Sequence, residues 1–137
     1  MSYLYKIITL SLFIYTIQLS AQTPQFDYTL TSDKLSVLEK TQLFSSTLIK
    51  VGNTLKWVQH VKGTNNTITY PITKIAGGWN MNSSTGNLSY TLYKEGFKTS
   101  FNLTRMEGGV LKAVMSIKQG QSPELLYTFN ITNITYP

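Results

Sequence analysis

Residues 86–105 read Gly-Asn-Leu-Ser-Tyr-Thr-Leu-Tyr-Lys-Glu-Gly-Phe-Lys-Thr-Ser-Phe-Asn-Leu-Thr-Arg. In an extended chain Leu88, Tyr90 and Leu92 fall on one face, and Ser89, Thr91 and Tyr93 fall on the other. The second half repeats the beat, with Phe97, Thr99, Phe101 and Leu103 on one side and Lys98, Ser100, Asn102 and Thr104 opposite. A helix would need apolar side chains every three to four residues, so this period of two predicts two strands, each with one dry face. Lys94-Glu95-Gly96 between them is short and contains a glycine, which folds the pair into an antiparallel hairpin.

The same pattern spreads in both directions. Downstream, residues 110–117 turn Leu111, Ala113, Met115 and Ile117 inward, and residues 125–131 turn Leu125, Tyr127, Phe129 and Ile131 inward, with a turn at 120–123. Upstream, Leu55, Trp57, Gln59 and Val61 alternate with Lys56, Val58, His60 and Lys62, and Ile68, Tyr70 and Ile72 alternate with Thr67, Thr69 and Thr73. Residues 63–66 supply their turn. Pro71 has no amide proton to give a central strand, so its strand lies at an edge or bulges there. The three hairpins echo one another: Gly52-Asn53-Thr54-Leu55-Lys56-Trp57 resembles Gly86-Asn87-Leu88-Ser89-Tyr90, and the closing segments Ile72-Thr73-Lys74-Ile75, Leu103-Thr104-Arg105-Met106 and Ile131-Thr132-Asn133-Ile134 resemble one another.

Further strands at 26–30 and 47–51 bring the count to about eight. Two regions escape the pattern. In 31–46, Ser32 and Asp33 are suited to cap a short helix carrying Leu35 and Leu38, or Leu35 and Val37 belong to a twisted strand; the balance tips toward a short helix or irregular turn. Residues 76–86, rich in Gly, Asn and Ser, read as a loop containing Trp79. Consecutive strands tend to pair, and a long meander must protect its edges. The expected fold is all-β: an antiparallel meander of about eight strands, up-and-down and barrel-like, with a β-sandwich as the alternative.

Lys6, the apolar run of residues 7–17 and Leu19-Ser20-Ala21 have the form of a signal peptide covering residues 1–21, with a single domain over 22–137. The run is too short to cross a bilayer as a helix, so no membrane span is expected in the mature chain. After that cut, 11 basic residues stand against 6 acidic ones, a net charge of +5 spread along the chain. There is no cysteine, which excludes disulfides, a thiol nucleophile and thiolate metal ligands. Small exported eukaryotic domains often carry disulfides, so their absence favours a bacterial periplasmic or secreted protein.

No catalytic constellation is visible. His60, the single histidine, alternates with Lys56 and Lys62 on a polar face, and no Gly-x-Ser-x-Gly turn presents a serine. One histidine and no cysteine make a zinc site an unsuitable reading, and no metal or cofactor is expected. Glu95 and Glu107 sit at turns one strand apart, at opposite ends of the sheet and not across a cleft. A non-enzyme is therefore expected. Six Asn-x-Ser/Thr matches, at Asn65, Asn82, Asn87, Asn102, Asn130 and Asn133, are glycan acceptors only in a eukaryotic secretory pathway.

Gly77-Gly78-Trp79 resembles the Gly-x-Trp that opens the first barrel strand of lipocalins, where the tryptophan closes the barrel end. The likeness spans three residues in the middle of the mature chain, and it implies a tryptophan packed over an open end of the core. Two functions are expected from these features. The first is an exported domain binding an apolar small molecule or lipid in a lipocalin-like manner, with Trp57, Trp79, Tyr90 and Phe101 as the ligand-binding residues. The alternative is a periplasmic or secreted module whose surface binds a protein or an anionic envelope polymer through Lys56, Lys62, Lys98, Lys112 and Lys118. Nucleic acid is not an expected partner, because exported proteins rarely meet it.

Overall fold

The computed structural model describes residues 26–137. Eight strands follow one another: β1 (Tyr28–Val37), β2 (Lys40–Val51), β3 (Thr54–Val61), β4 (Thr64–Asn80), β5 (Thr85–Lys94), β6 (Phe97–Arg105), β7 (Lys112–Gln119) and β8 (Leu125–Thr135). Each pairs antiparallel with the next, and β8 returns to β1, so the meander closes into a barrel. The barrel forms, and the sandwich does not. The leader expected over residues 1–21 lies outside the described residues.

Closure follows from the alternating faces. Each strand has one apolar side, and rolling the sheet buries all of them in one interior while pairing both edge strands. Leu88, Phe101, Met115 and Phe129, from four consecutive strands, are exposed by only 2, 1, 0 and 1 %. Thr99 also points inward, and its hydroxyl is the one buried side-chain polar atom without a partner among the described residues. Val61 and Phe97, expected inside, are exposed because they lie where strands run past the core.

Strand direction sorts the connections into two groups. The turns around 52–53, 81–84 and 106–111 gather at one end with Phe26 and Tyr136, here the terminal end. Those around 38–39, 62–63, 95–96 and 120–124 gather at the far end.

Two local features depart from the sequence reading, and a third agrees with it. Residues 31–46 hold no helix: β1 runs on to Val37, turns through Leu38 and Glu39 at φ of 51° and 63°, and returns as β2. The pairing register with β8 shifts between Ser32 and Lys34, leaving Asp33 as an extra residue, and the buried Ser32 hydroxyl donates to the Lys34 carbonyl at 2.9 Å. That inserted residue breaks the two-residue beat. Second, residues 76–80 are not loop but the end of β4, paired with Thr85–Ser89 of β5. Gly77, at φ +88°, has no room for a side chain, because a Cβ would overlap the Asn87 carbonyl; the glycine permits a close approach of two strands. Third, Pro71 stands where the 17-residue β4 leaves β3 for β5: it faces Thr54, and pairing with β5 starts at Ile72.

Candidate binding surface

The four expected ligand-binding side chains occupy different environments. Tyr90 and Phe101 stand opposite each other on β5 and β6 and stack, with centroids 5.9 Å apart and planes 16° from parallel. Trp57 on β3 meets Phe129 edge-on at 5.2 Å and Tyr127 at 5.6 Å, and its indole N–H donates to Ser46 Oγ at 3.0 Å. Tyr28 donates its hydroxyl to that of Tyr90 at 2.9 Å. Burial pushes the phenols of Tyr28, Tyr70 and Tyr90 above the ordinary tyrosine range, most strongly at Tyr28. Trp57, Tyr90 and Phe101 are thus enclosed by protein on all sides.

Trp79 is separate, half-buried at the terminal end. Its indole N–H donates to Tyr136 Oη at 2.9 Å, Ser84 Oγ lies 2.8 Å from the same oxygen, and Phe26 packs against the Tyr136 ring at 6.1 Å. Sequence reasoning missed a neighbouring residue: Lys50 faces inward between Tyr28 and Leu55 and is 1 % exposed. Its ammonium meets Asp27 Oδ1 at 3.3 Å, and the same oxygen accepts the Gly52 amide at 2.9 Å. That amide first, and Lys50 second, hold the Asp27 carboxyl below the usual range. The pair clasps Asp27, one residue before β1, to the β2–β3 turn.

His60 has both ring nitrogens engaged, Nε2 with Thr47 Oγ1 at 2.8 Å and Nδ1 with Asn65 Oδ1 at 2.9 Å, in a ladder across β2, β3 and β4. Glu95 and Glu107 lie at opposite barrel ends, separated by β6. Among the described residues no cluster of His, Asp and Glu is suited to hold a metal ion. Lys56, Lys62, Lys98, Lys112 and Lys118 are all exposed, and Lys98 stands directly opposite Lys118.

The outer wall of β6, β7, β8 and β1 carries a groove of about 450 Å³, overhung by the 106–111 connection. A single cross-strand row builds its floor: Thr104 faces Lys112, Lys112 faces Asn130, and Asn130 faces Lys34. Two strand spacings separate Lys34 from Lys112, roughly 10 Å. Arg105 adds a third cation beside Thr104. The only ion pair among the described residues is Lys50 with Asp27, so none of these three has a carboxylate partner. Asp33, next to Lys34 in the chain, is turned to the Asn130 amide, which donates to it at 2.6 Å. Above the cations, Met106 and Val110 are 77 and 81 % exposed.

A second hollow, of about 310 Å³, continues this groove toward the terminal end. Arg105 and residues 109–111 line one side, and Ile131 to Ile134 of β8 line the other. It exists because β7 is short. Pairing of β7 with β8 begins at Lys112 and Asn130, whereas β8 continues to Thr135 paired with β1 alone.

No protein-family model, no curated protein and no solved structure matches the chain.

Proposed function

We propose that the protein is an exported, non-catalytic binding module that engages an anionic partner, a protein or an envelope polymer, through the groove outside β6, β7, β8 and β1. The observation that carries this is the set of three cations without counter-ions, Lys34, Arg105 and Lys112, beneath the exposed Met106 and Val110. Charges left unpaired on a concave wall raise the local concentration of an anionic partner, and apolar side chains beside them add contact area. The expected test is fluorescence anisotropy with labelled poly-L-glutamate at low salt. Exchanging Lys34, Arg105 and Lys112 together for Ala weakens binding about tenfold or more, while exchanging Lys56 and Lys62 on β3 leaves it nearly unchanged. Equal binding by the triple variant would overturn the assignment.

A second reading, an apolar small molecule or lipid held in a lipocalin-like manner, is favoured by the far end of the barrel. There Val37, Phe44, Ile68 and Ile117 are only half-buried, beside Tyr127 and its partner Trp57. Titration with a fatty acid, read by tryptophan emission, separates the two: a saturable change supports the internal ligand, and an unchanged spectrum removes it.

A further inference from the structure

We infer that the ligand of this surface is an extended acidic peptide segment of a partner protein, which adds as a strand to the free edge of β8 between residues 131 and 135. This rests on the proposed groove and specifies what enters it.

A strand directs the N–H and C=O groups of alternate residues to each side. Over Thr128–Asn130 both sides of β8 are satisfied, by β1 and by β7. Beyond Asn130 only the β1 side has a strand partner, so the groups facing the missing part of β7 line the second hollow. An unpaired edge of this kind is a template for another strand, and β-augmentation is a recurring way of binding peptides. The opposite wall is suited to it. It is built by the Met106-Glu107-Gly108-Gly109-Val110-Leu111 connection, whose Gly109 amide donates to the Met106 carbonyl at 2.8 Å, and glycine lets a foreign backbone come close.

Charge selects the occupant. Arg105 and Lys112 flank the point where β7 pairing stops, and Lys34 lies one strand beyond Asn130. A peptide with Asp or Glu at alternate positions would put its carboxylates on the outer face beside these cations. A second copy of the chain brings net positive charge to a positive rim, and the chain's own residues 1–25 contain no Asp or Glu.

The test uses a labelled peptide of alternating Glu and Val, the same peptide N-methylated at alternate amides, and an alternating Lys and Val control. The expected result is that the acidic peptide binds and the Lys peptide does not. The N-methylated form binds about tenfold or more weakly, since it lacks the ladder hydrogen bonds. Bound peptide also slows amide exchange within 131–135. Equal binding of the methylated peptide, with exchange in 131–135 unchanged, overturns strand addition and leaves an electrostatic groove. No binding of either acidic peptide, while the non-peptide polyanion dextran sulfate still binds in a manner dependent on Lys34, Arg105 and Lys112, overturns the peptide assignment alone. Loss of both overturns the groove as well. Protection of 131–135 that grows with protein concentration in the absence of peptide overturns the inference in favour of a second copy.

Discussion

Replacing Phe129 by Ala decides whether the barrel interior is a packed core or a container. The side chain is 1 % exposed, meets Trp57 edge-on, and is flanked across the strands by Leu35 and the small Ala113. Burying a large aromatic removes roughly 150–250 Å² from water, which at about 25 cal/mol per Å² corresponds to roughly 4–6 kcal/mol. Part of that survives in the alanine methyl, and measured losses for such a change are about 3–5 kcal/mol. The edge contact with Trp57 adds about 0.5–1.5 kcal/mol, and Ala113 is too small to fill the hole. A loss of about 4 kcal/mol is therefore expected. With a urea slope of about 2 kcal/mol per molar, the unfolding midpoint should fall by about 2 M. Tryptophan emission is a suitable monitor, because Trp57 borders the deleted ring. Phe129→Leu should recover roughly half of the loss. A change below about 1 kcal/mol, with the slope preserved, would refute the packed interior and return weight to an internal ligand.

Three further outcomes follow from the buried polar groups and the glycines. Tyr28→Phe removes the donor to Tyr90 and should lower stability by about 1 kcal/mol in chemical denaturation. Because the folded phenols titrate above their unfolded value of 10.0, they are neutral and stabilising below that pH, and the contribution is lost as pH rises beyond it; the loss above pH 10 should be shallower in Tyr28→Phe. Asp27 has the opposite sign. Its folded pKa lies below 3.8, so its contribution is present above that value and disappears as pH falls through the folded pKa. An acid titration of stability should show this step in the native protein and not in Asp27→Asn, which is already less stable at neutral pH because Lys50 keeps its burial and loses its carboxylate. Gly77→Ala should cost about 1–3 kcal/mol from the backbone conformation alone, with more from the overlap at Asn87, measurable as a lower thermal midpoint.

The strands from 86 to 131 were legible because each has one wet and one dry face, and a two-residue period is the simplest signature a chain can carry. Where a residue is inserted, as at Asp33, the period slips, and Ser32 with Leu35 then imitates helical spacing. The end of β4 was hidden for a different reason. Gly77 and Gly78 have no side chain to report a face, and only the opposing backbone of β5 explains them. Lys50 could not be read as buried, since lysine inside a barrel is justified only by Asp27, 23 positions earlier in the chain. Trp79 over a barrel end was legible from its glycines, but its partner Tyr136 lies 57 residues away. The groove was invisible for the same reason: Lys34, Arg105 and Lys112 become neighbours only when β8 meets β1.

That seam has a consequence for how the molecule comes into being. The first strand cannot find its second neighbour until the last has been made, about a hundred residues later, as Thr29 opposite Thr135 makes plain. Contacts so far apart in the chain slow folding, and a half-synthesised meander has two raw edges able to adhere to one another. Until its final strand arrives the polypeptide keeps those edges open, and a truncation that removes β8 should yield aggregates and not a smaller barrel.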